Sequence, residues 1–353
     1  MNNTNITEKI LNGFNSALGP ECDTAISSRA RLARNFGDFP FPGRLNAAGK
    51  KKIVEIVNNA VADKSFDFID FSSPALSAAE SGALMERRVV SHDFVEAPGD
   101  RELIANIEKG LYVMVNEEDH LRIQCIKPGF AIYEAFDEAN KFDDMIDEKI
   151  PADSNAYAYD ENFGYLTQCP TNLGTGMRVS VMLHLPALTL NRKIQSLTAD
   201  LSKIGLTIRG HYGEGTEVGG DLYQISNNIT LGISEAQTLE KIKPVAERII
   251  ELERAGRNEI LKSSKALITD KIKRAYGIIK NAHMITSGEF LTFYSIIRLG
   301  ITYGIVKDID YKTLDMLLVK VMPANLTLHF STAPDKSNTS RDILRAEFIQ
   351  SII

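Results

Sequence analysis

The sequence predicts an α+β fold: an antiparallel sheet flanked by helices, followed by a C-terminal helical domain. Three observations predict it. Leu111–Asn116 is a short apolar run, and Leu121–Lys127 alternates through Leu121, Ile123 and Cys125. Both read as strands around the polar turn Glu117-Glu118-Asp119-His120. Leu222–Ser226 and Ile229–Leu231 look like a hairpin about Asn227-Asn228. Strands so close along the chain pair antiparallel, because parallel pairing needs a long crossover. From about Ser234 onward the texture becomes helical.

The 353 residues suggest about two domains. Met1 to Gly19 is polar and helical in pattern. A helix is expected from near Gly176 through Val181 to Leu185, and a strand over Gly205–Arg209 that ends in the Gly-rich loop Gly210–Gly215. Ala236–Lys262 carries Leu239, Ile242, Ala246, Ile249, Ile250 and Leu252 at helical spacing, with Pro244 interrupting or kinking it. Lys265–Ala275, Ser287–Tyr303 and Tyr311–Val321 read as further helices. Pro323 and Pro334 bracket a looser stretch, and a last helix starts at about Arg341. The expected division is a catalytic domain over 1–250 and a helical domain over 251–353.

The formal net charge of −6 sets up no positive field, which argues against general binding to nucleic acid or acidic membranes. The three cysteines, Cys22, Cys125 and Cys169, form no Cys-x-x-Cys pair and suit a reducing compartment. No stretch approaches the roughly 18 apolar residues of a membrane span. The expectation is a soluble, cytoplasmic protein.

Four constellations could carry chemistry. In Ser27-Ser28-Arg29-Ala30-Arg31, an extended backbone points Arg29 and Arg31 to the same side. Paired guanidinium groups suit phosphate oxygens, or simply a solvated face. The acids of Asn116-Glu117-Glu118-Asp119-His120-Leu121-Arg122 suit a solvated turn, a metal, or a cationic substrate. A carboxylate facing a guanidinium can orient it and accept its proton. In Cys169-Pro170-Thr171-Asn172-Leu173-Gly174-Thr175-Gly176-Met177-Arg178 the glycines allow close approach to a ligand. A helix following Cys169 would favour its thiolate, and the segment lacks the Walker A pattern. Arg209-Gly210-His211-Tyr212-Gly213-Glu214-Gly215 has the composition of a mobile surface loop.

Taken in order, these motifs resemble the phosphagen (guanidino) kinases over roughly residues 21–250. The resemblance implies the guanidino kinase catalytic fold and transfer of the ATP γ-phosphoryl to a guanidinium. It implies that Arg29, Arg31, Arg122, Arg178 and Arg209 hold nucleotide phosphates, with Mg²⁺ carried on those phosphates and no protein-held metal. Further ATP contacts are implied at Ser27, Ser28, Val179, Ser180, Val181, Met182, Gly210, His211, Tyr212, Gly213 and Glu214. His92, in Val90-Ser91-His92-Asp93-Phe94, matches the family's nucleotide-contacting histidine less closely. Glu118 and Glu214 match the acids that face the guanidinium, and Cys169 matches the reactive cysteine.

Within that family the chain is most similar to the bacterial protein-arginine kinases (McsB type). Arg122-Ile123-Gln124-Cys125 and Thr171 look like that group. Kinases of small guanidino metabolites have a helical domain ahead of the catalytic one, and an Arg-x-Arg motif starting by Ser27 leaves the expectation that it is missing. Arg341, Asp342, Arg345 and Ala346 resemble the group's phosphoarginine-binding motif, with Ser340 able to N-cap the helix. The resemblance further implies a homodimer, allosteric control by product, a stress-response role in marking proteins for a Clp ATPase–protease, and a zinc-finger activator. A kinase of free arginine and a non-catalytic phosphoarginine adaptor are the competing readings.

Overall fold

The structure, a computed structural model, describes residue 9 and residues 18–62, 66–71, 76–96, 99–150, 157–210, 219–330 and 338–353. Its centre is an eight-stranded sheet. The strands are β1 (Ala25–Arg34), β2 (Asp67–Asp70), β3 (Glu102–Asn106), β4 (Leu111–Val115), β5 (Leu121–Pro128), β8 (Met177–His184), β9 (Leu206–Gly210) and β10 (Leu222–Asn227). Their order is β2-β3-β4-β5-β1-β8-β10-β9, and every pair is antiparallel. β6 (Tyr159–Asp160) and β7 (Gly164–Tyr165) make a separate short ribbon.

The helices are α1 (Ala47–Val61), α2 (Ala78–Glu86), α3 (His92–Glu96), α4 (Ile132–Lys149), α5 (Pro186–Leu190), α6 (Ile194–Lys203), α7 (Glu235–Ser263), α8 (Lys265–Asn281), α9 (Ser287–Thr302), α10 (Tyr311–Lys320), α11 (Pro323–Phe330) and α12 (Asn338–Gln350). Reciprocal capping boxes start three of them: Ser77 with Glu80, Ser234 with Gln237, and Thr286 with Glu289.

Strand alternation divides the sheet into two faces. Ala30, Leu32, Ile123, Val179, Val181, Leu183 and Ile225 point to one face. They pack on Ala135, Ala139, Phe142 and Ile146 of α4 and on Leu239, Ile242, Ala246 and Ile249 of α7. The opposite face carries a smaller core under α2 and α3, with Leu84, Val90, Phe94 and Met114. α7 runs unbroken through Pro244 and past position 250. Its Ile250 belongs to the sheet core, whereas Ile260 belongs to a second core built with α8 to α12.

Buried polar contacts dock the helical part on the sheet. Glu86, at the end of α2, accepts from the backbone N–H groups of Ala324 and Asn325 at 2.8 and 3.0 Å. Arg87 Nε donates to Asn325 Oδ1 at 3.0 Å. Arg257 of α7 pairs with Glu253 at 2.7 Å and reaches the His184 carbonyl at 2.8 Å.

Four sequence expectations are corrected. Met177–His184 is a central strand, not a helix. A buried apolar run has no helical or strand period of its own, so its partners β1 and β10 decide. Ile229–Leu231 is not a strand; β10 instead pairs with β8 and β9. Pro323 opens a helix rather than a loose stretch, as suits proline in a first turn. The last helix begins at Asn338, so Ser340 lies inside it and is not its N-cap.

Arg34 ends β1 and is 1% exposed. Its Nε and Nη2 lie 2.9 and 2.7 Å from Asp143 Oδ2 of α4, and Nη1 donates to the Thr175 carbonyl at 2.9 Å. The guanidinium also lies 3.5 Å from the Tyr165 ring centroid. Removing it leaves a buried carboxylate unpaired. Arg34→Ala is therefore expected to cost about 3–5 kcal/mol in urea unfolding; a loss under about 1 kcal/mol, the range of an exposed pair, would contradict this role.

Candidate active site

The register of the sheet gathers the arginines. Arg31 lies opposite Arg178 of β8 and opposite Gln124 of β5. Arg29 lies opposite Ser180, and Gln224 of β10 opposite Met182 and Arg209. Arg122 is two residues from Gln124 and so shares its face. Arg29, Arg31, Arg122, Arg178 and Arg209 thus all project from the face opposite the α4–α7 core. They line one cavity of about 730 Å³, together with His92, Ser91, Gln224, Ser226 and Arg88.

Like charges at such spacing press on each other. Burial, then Arg88, Arg122 and Arg178, push the Arg29 guanidinium down to about 9. Burial, then Arg29, Arg122 and Arg178, push Arg31 well below the ordinary arginine range, and Glu117 opposes. A guanidinium stays charged in proteins, so the push records crowding. Among the described residues, Arg31 Nε is buried without a hydrogen-bond partner. Arg178 Nη2 donates to Ser226 Oγ at 3.2 Å. Crowded forked donors with an unsatisfied buried N–H fit a polyphosphate.

A second cavity of about 170 Å³ adjoins the first and is lined by Glu117, Glu118, Asp119, Cys169, Thr171 and Asn172. Arg31, Arg122 and Arg178 line both cavities. A group placed at that boundary is gripped by three cations and faces three acids and a thiol. Burial first, then Asp119 and Glu117, raise the Glu118 carboxyl above the ordinary glutamate range, while Arg122 and a hydrogen bond from Cys169 pull it down. The Cys169 Sγ also lies 3.0 Å from Thr171 Oγ1.

Three groups assigned no individual role from sequence, Glu117, Asp119 and Asn35, hold this arrangement. Glu117 Oε1 accepts from Arg122 and from Ser91 Oγ, and its Oε2 accepts from the Glu118 N–H at 3.1 Å. Asp119 Oδ1 accepts from Asn35 Nδ2 at 2.7 Å and from the Gln168 N–H at 2.8 Å, which ties the acidic turn to β1 and to the Cys169 loop. Asn35 Oδ1 accepts from the His120 N–H at 2.9 Å. The Cys169 loop returns to β1 at Gly176, whose φ of 61° and 2.6 Å from a Cβ position to the Ala33 carbonyl exclude a side chain. The element that follows that loop is the strand β8, not the helix expected to favour a Cys169 thiolate.

The other expected residues separate. Ser27, Ser180 and Met182 line a third, apolar pocket of about 120 Å³ that shares Arg29, Glu86, Arg88 and Gln224 with the large cavity. Ser28, Val179 and Val181 point to the opposite face, where Ser28 Oγ donates to the Gly129 carbonyl at 2.9 Å, so their side chains do not reach the cavity. His92 lines the cavity at its rim, with Nε2 3.4 Å from Glu96. Gly210 lines it as well. His211, Tyr212, Gly213 and Glu214 lie outside the described residues. Arg341, Asp342, Arg345 and Ala346 sit together on α12. Arg345 is 2% exposed and donates to the Val321 and Ile285 carbonyls at 2.9 and 2.7 Å and to Asp342 at 2.5 Å. Ala346 is buried. In this arrangement Arg345 serves as an internal strut and Ala346 as core.

Comparison with known proteins gives a consistent picture. A sequence model described as ATP:guanido phosphotransferase, C-terminal catalytic domain, matches residues 49–256. One described as the protein-arginine kinase McsB C-terminal domain matches residues 265–353. A protein-arginine kinase of Caldanaerobacter subterraneus subsp. tengcongensis is 42% identical over 93% of this chain and 96% of its own length. One of Desulforamulus reducens is 42% identical over 95% and 93%. A lombricine kinase crystal structure shares the fold with a TM-score of 0.60 at 23% identity, over 69% of this chain and 70% of that one.

His120 offers a test of the packing behind the acids. It is fully buried, its Nδ1 accepts from the Phe36 N–H at 3.0 Å, and its Nε2 lies 3.0 Å from the Pro40 carbonyl. Burial pushes its pKa down to about 4 from an ordinary 6.5. The unfolded chain therefore takes up a proton that the folded one refuses, and this group weakens the fold as pH falls from 6.5 toward 4. An NMR titration should find the His120 ring neutral through pH 5; a midpoint near 6.5 would contradict the packing.

Proposed function

The chain belongs to the ATP:guanido phosphotransferase family, and from that premise we propose that it is a protein-arginine kinase: it transfers the γ-phosphoryl of ATP to the guanidinium of arginine residues in proteins. The observation that carries the acceptor assignment is the match of residues 265–353 to the McsB C-terminal domain, joined to 42% identity with relatives of that activity along nearly the whole chain.

The chemistry divides between the two adjoining cavities. The nucleotide's phosphates lie among Arg29, Arg31, Arg122, Arg178 and Arg209, with the base toward Ser27, Ser180 and Met182 in the apolar pocket. The acceptor guanidinium enters beside Glu118 and Cys169, with Glu214 on its other side as the family pattern implies. One guanidinium nitrogen attacks the γ-phosphorus, the bond to the β–γ bridging oxygen breaks, and ADP leaves. Glu118 takes the proton that the attacking nitrogen loses. Arg31, Arg122 and Arg178, common to both cavities, hold the transferring group in line and meet its charge. Among the described residues no group of three or more His, Cys, Asp or Glu could hold a metal ion. Mg²⁺ would be carried by the nucleotide's own phosphates and would supply charge neutralisation there.

The division into a catalytic part, 1–250, and a helical part, 251–353, is retained in this reading, with the joint inside α7. Among the described residues no helix is long and apolar enough to cross a membrane, and the reading places the protein in the cytoplasm. Product recognition at Arg341, Asp342, Arg345 and Ala346, dimerisation through the helical part, allosteric control, a zinc-finger activator and delivery of marked proteins to a Clp ATPase–protease in the stress response follow from the family resemblance. In that site Arg341 supplies the guanidinium to the product and Arg345 holds the helix that carries it.

Phosphorus NMR tests the reading. With Mg·ATP and either free arginine or an unfolded arginine-containing protein, an acid-labile P–N signal is expected on the protein. Signal on free arginine alone, or on neither, would contradict it. Glu118→Ala should lower turnover by about 10²–10⁴-fold with ATP still bound; near-normal turnover would remove Glu118 from the role of base. Since its carboxyl holds a proton to higher pH than an ordinary glutamate, the acid limb of activity should lie above the usual carboxylate range.

A further inference from the structure

The sheet does not enclose the apolar pocket alone. Ile26, Ser27, Ser180 and Met182 supply one part of its wall. Leu318 and Val319 of α10, with Met322 two residues beyond that helix, supply another, and these come from the helical part of the chain. Met182 shows how the two parts meet. Its neighbours on β8, Val181 and Leu183, point into the sheet core, so alternation sends Met182 to the opposite face. There it joins the same buried core as Leu318 and Met322.

The helical part of the wall is tied to the pocket's rim. Met322 precedes Pro323, the first residue of α11. Glu86 lines the pocket and accepts from the N–H groups of Ala324 and Asn325, and from Asn325 Nδ2 at 2.7 Å. A carboxylate placed there meets N–H groups that the first turn of a helix leaves unpaired. One turn earlier in α2, a Cβ at Gly82 would come within 2.9 Å of Ala324 Cβ, so the two helices are in close contact. Elements packed this tightly leave few voids between them, and an unfilled apolar space forfeits packing on every side. Yet a space of about 120 Å³ is kept open beside this contact, and it shares Arg29, Glu86, Arg88 and Gln224 with the large cationic cavity. An apolar slot at the meeting of two parts of a chain, continuous with a polyphosphate site, suits the flat ring system of a nucleotide.

We propose that Leu318, Val319 and Met322 complete the base pocket of the nucleotide, so that the helical part contributes directly to the affinity for ATP. This deepens the kinase reading and rests on it. Val319 is the most telling position. It is partly exposed, and among the described residues it belongs to none of the three buried cores, so changing it leaves the cores intact.

Calorimetry with ATP and with inorganic tripolyphosphate separates the base from the phosphates. Val319→Phe fills the slot and should weaken ATP binding about 10-fold or more, the scale of overpacking a closed site, with tripolyphosphate affinity within about 2-fold. Val319→Ala removes contact without adding bulk and should weaken ATP alone, by about 3-fold. ATP affinity within about 2-fold in Val319→Phe, or an equal loss of ATP and tripolyphosphate, would overturn the proposal. If Val319→Phe does not fold, Val319→Ala decides: an unchanged ratio of ATP to tripolyphosphate affinity would overturn it. Failure of the unchanged protein to bind ATP would instead overturn the kinase reading, and this inference with it.

Discussion

The constraint on which the rest depends is the mutual repulsion of guanidinium groups on one face of a β-sheet. Side chains alternate along a strand, so Arg29 and Arg31 must emerge together. Antiparallel pairing then brings Arg178 directly beside Arg31, and β5 and β10 add Arg122 and the neighbours of Arg209. A one-residue slip of β1 or β8 would send the arginines into the α4–α7 core and the valines into the cavity. The buried Val179, Val181, Ala30 and Leu32 therefore fix where the charges go, and the hydrophobic core specifies a cationic site on its far side. Among the described residues, carboxylates stand beside these cations, and Glu86 lines the cavity itself. Glu117 is one, and it is already shared by Arg122, Ser91 and the Glu118 backbone.

The acceptor side obeys the opposite logic. Glu117, Glu118 and Asp119 follow one another in a five-residue turn closed by the Asn116 N–H on the His120 carbonyl at 2.9 Å. Three adjacent carboxylates could not be held together without partners, and each has a different one. Glu117 takes Arg122, Asp119 takes Asn35 and the Gln168 N–H, and Glu118 keeps only Cys169 and the field of Arg122. The least compensated of the three, Glu118, lines the second cavity beside Cys169. Asn35 and Arg34, adjacent at the end of β1, tie the turn and the Gly174–Gly176 loop to the same strand that bears Arg29 and Arg31. Phosphate grip and acceptor pocket are thus built from one strand, which keeps their spacing rigid.

Much of this was legible in the sequence, and the limits have physical causes. Arg-x-Arg on an extended segment, the strands around Glu117–His120 and the helical texture after Ser234 follow from local periodicity. Met177–His184 did not, because a strand buried on both faces has an apolar pattern that a helix could equally bear; β1 and β10 decide it. The inward turn of Ser28 and the burial of Arg345 depend on which face or neighbour the tertiary fold offers, which spacing alone cannot fix. Arg88 was invisible for the same reason. Its left-handed backbone and the bond from Gln124 Nε2 to its carbonyl, which set it in the cavity wall, follow from the tertiary fold. A signal existed in the missing glycine: a helix that stops sharply without one puts another residue in its place.

The cavity is complementary to charge on a phosphate chain, more than to a base. The most direct test is the thermal unfolding midpoint with saturating adenosine, AMP, ADP, ATP and inorganic tripolyphosphate, at low and high salt. Stabilisation should rise stepwise with phosphate number, tripolyphosphate alone should stabilise, and added salt should shrink both effects. Equal stabilisation by adenosine and ATP, or none by tripolyphosphate, would contradict it.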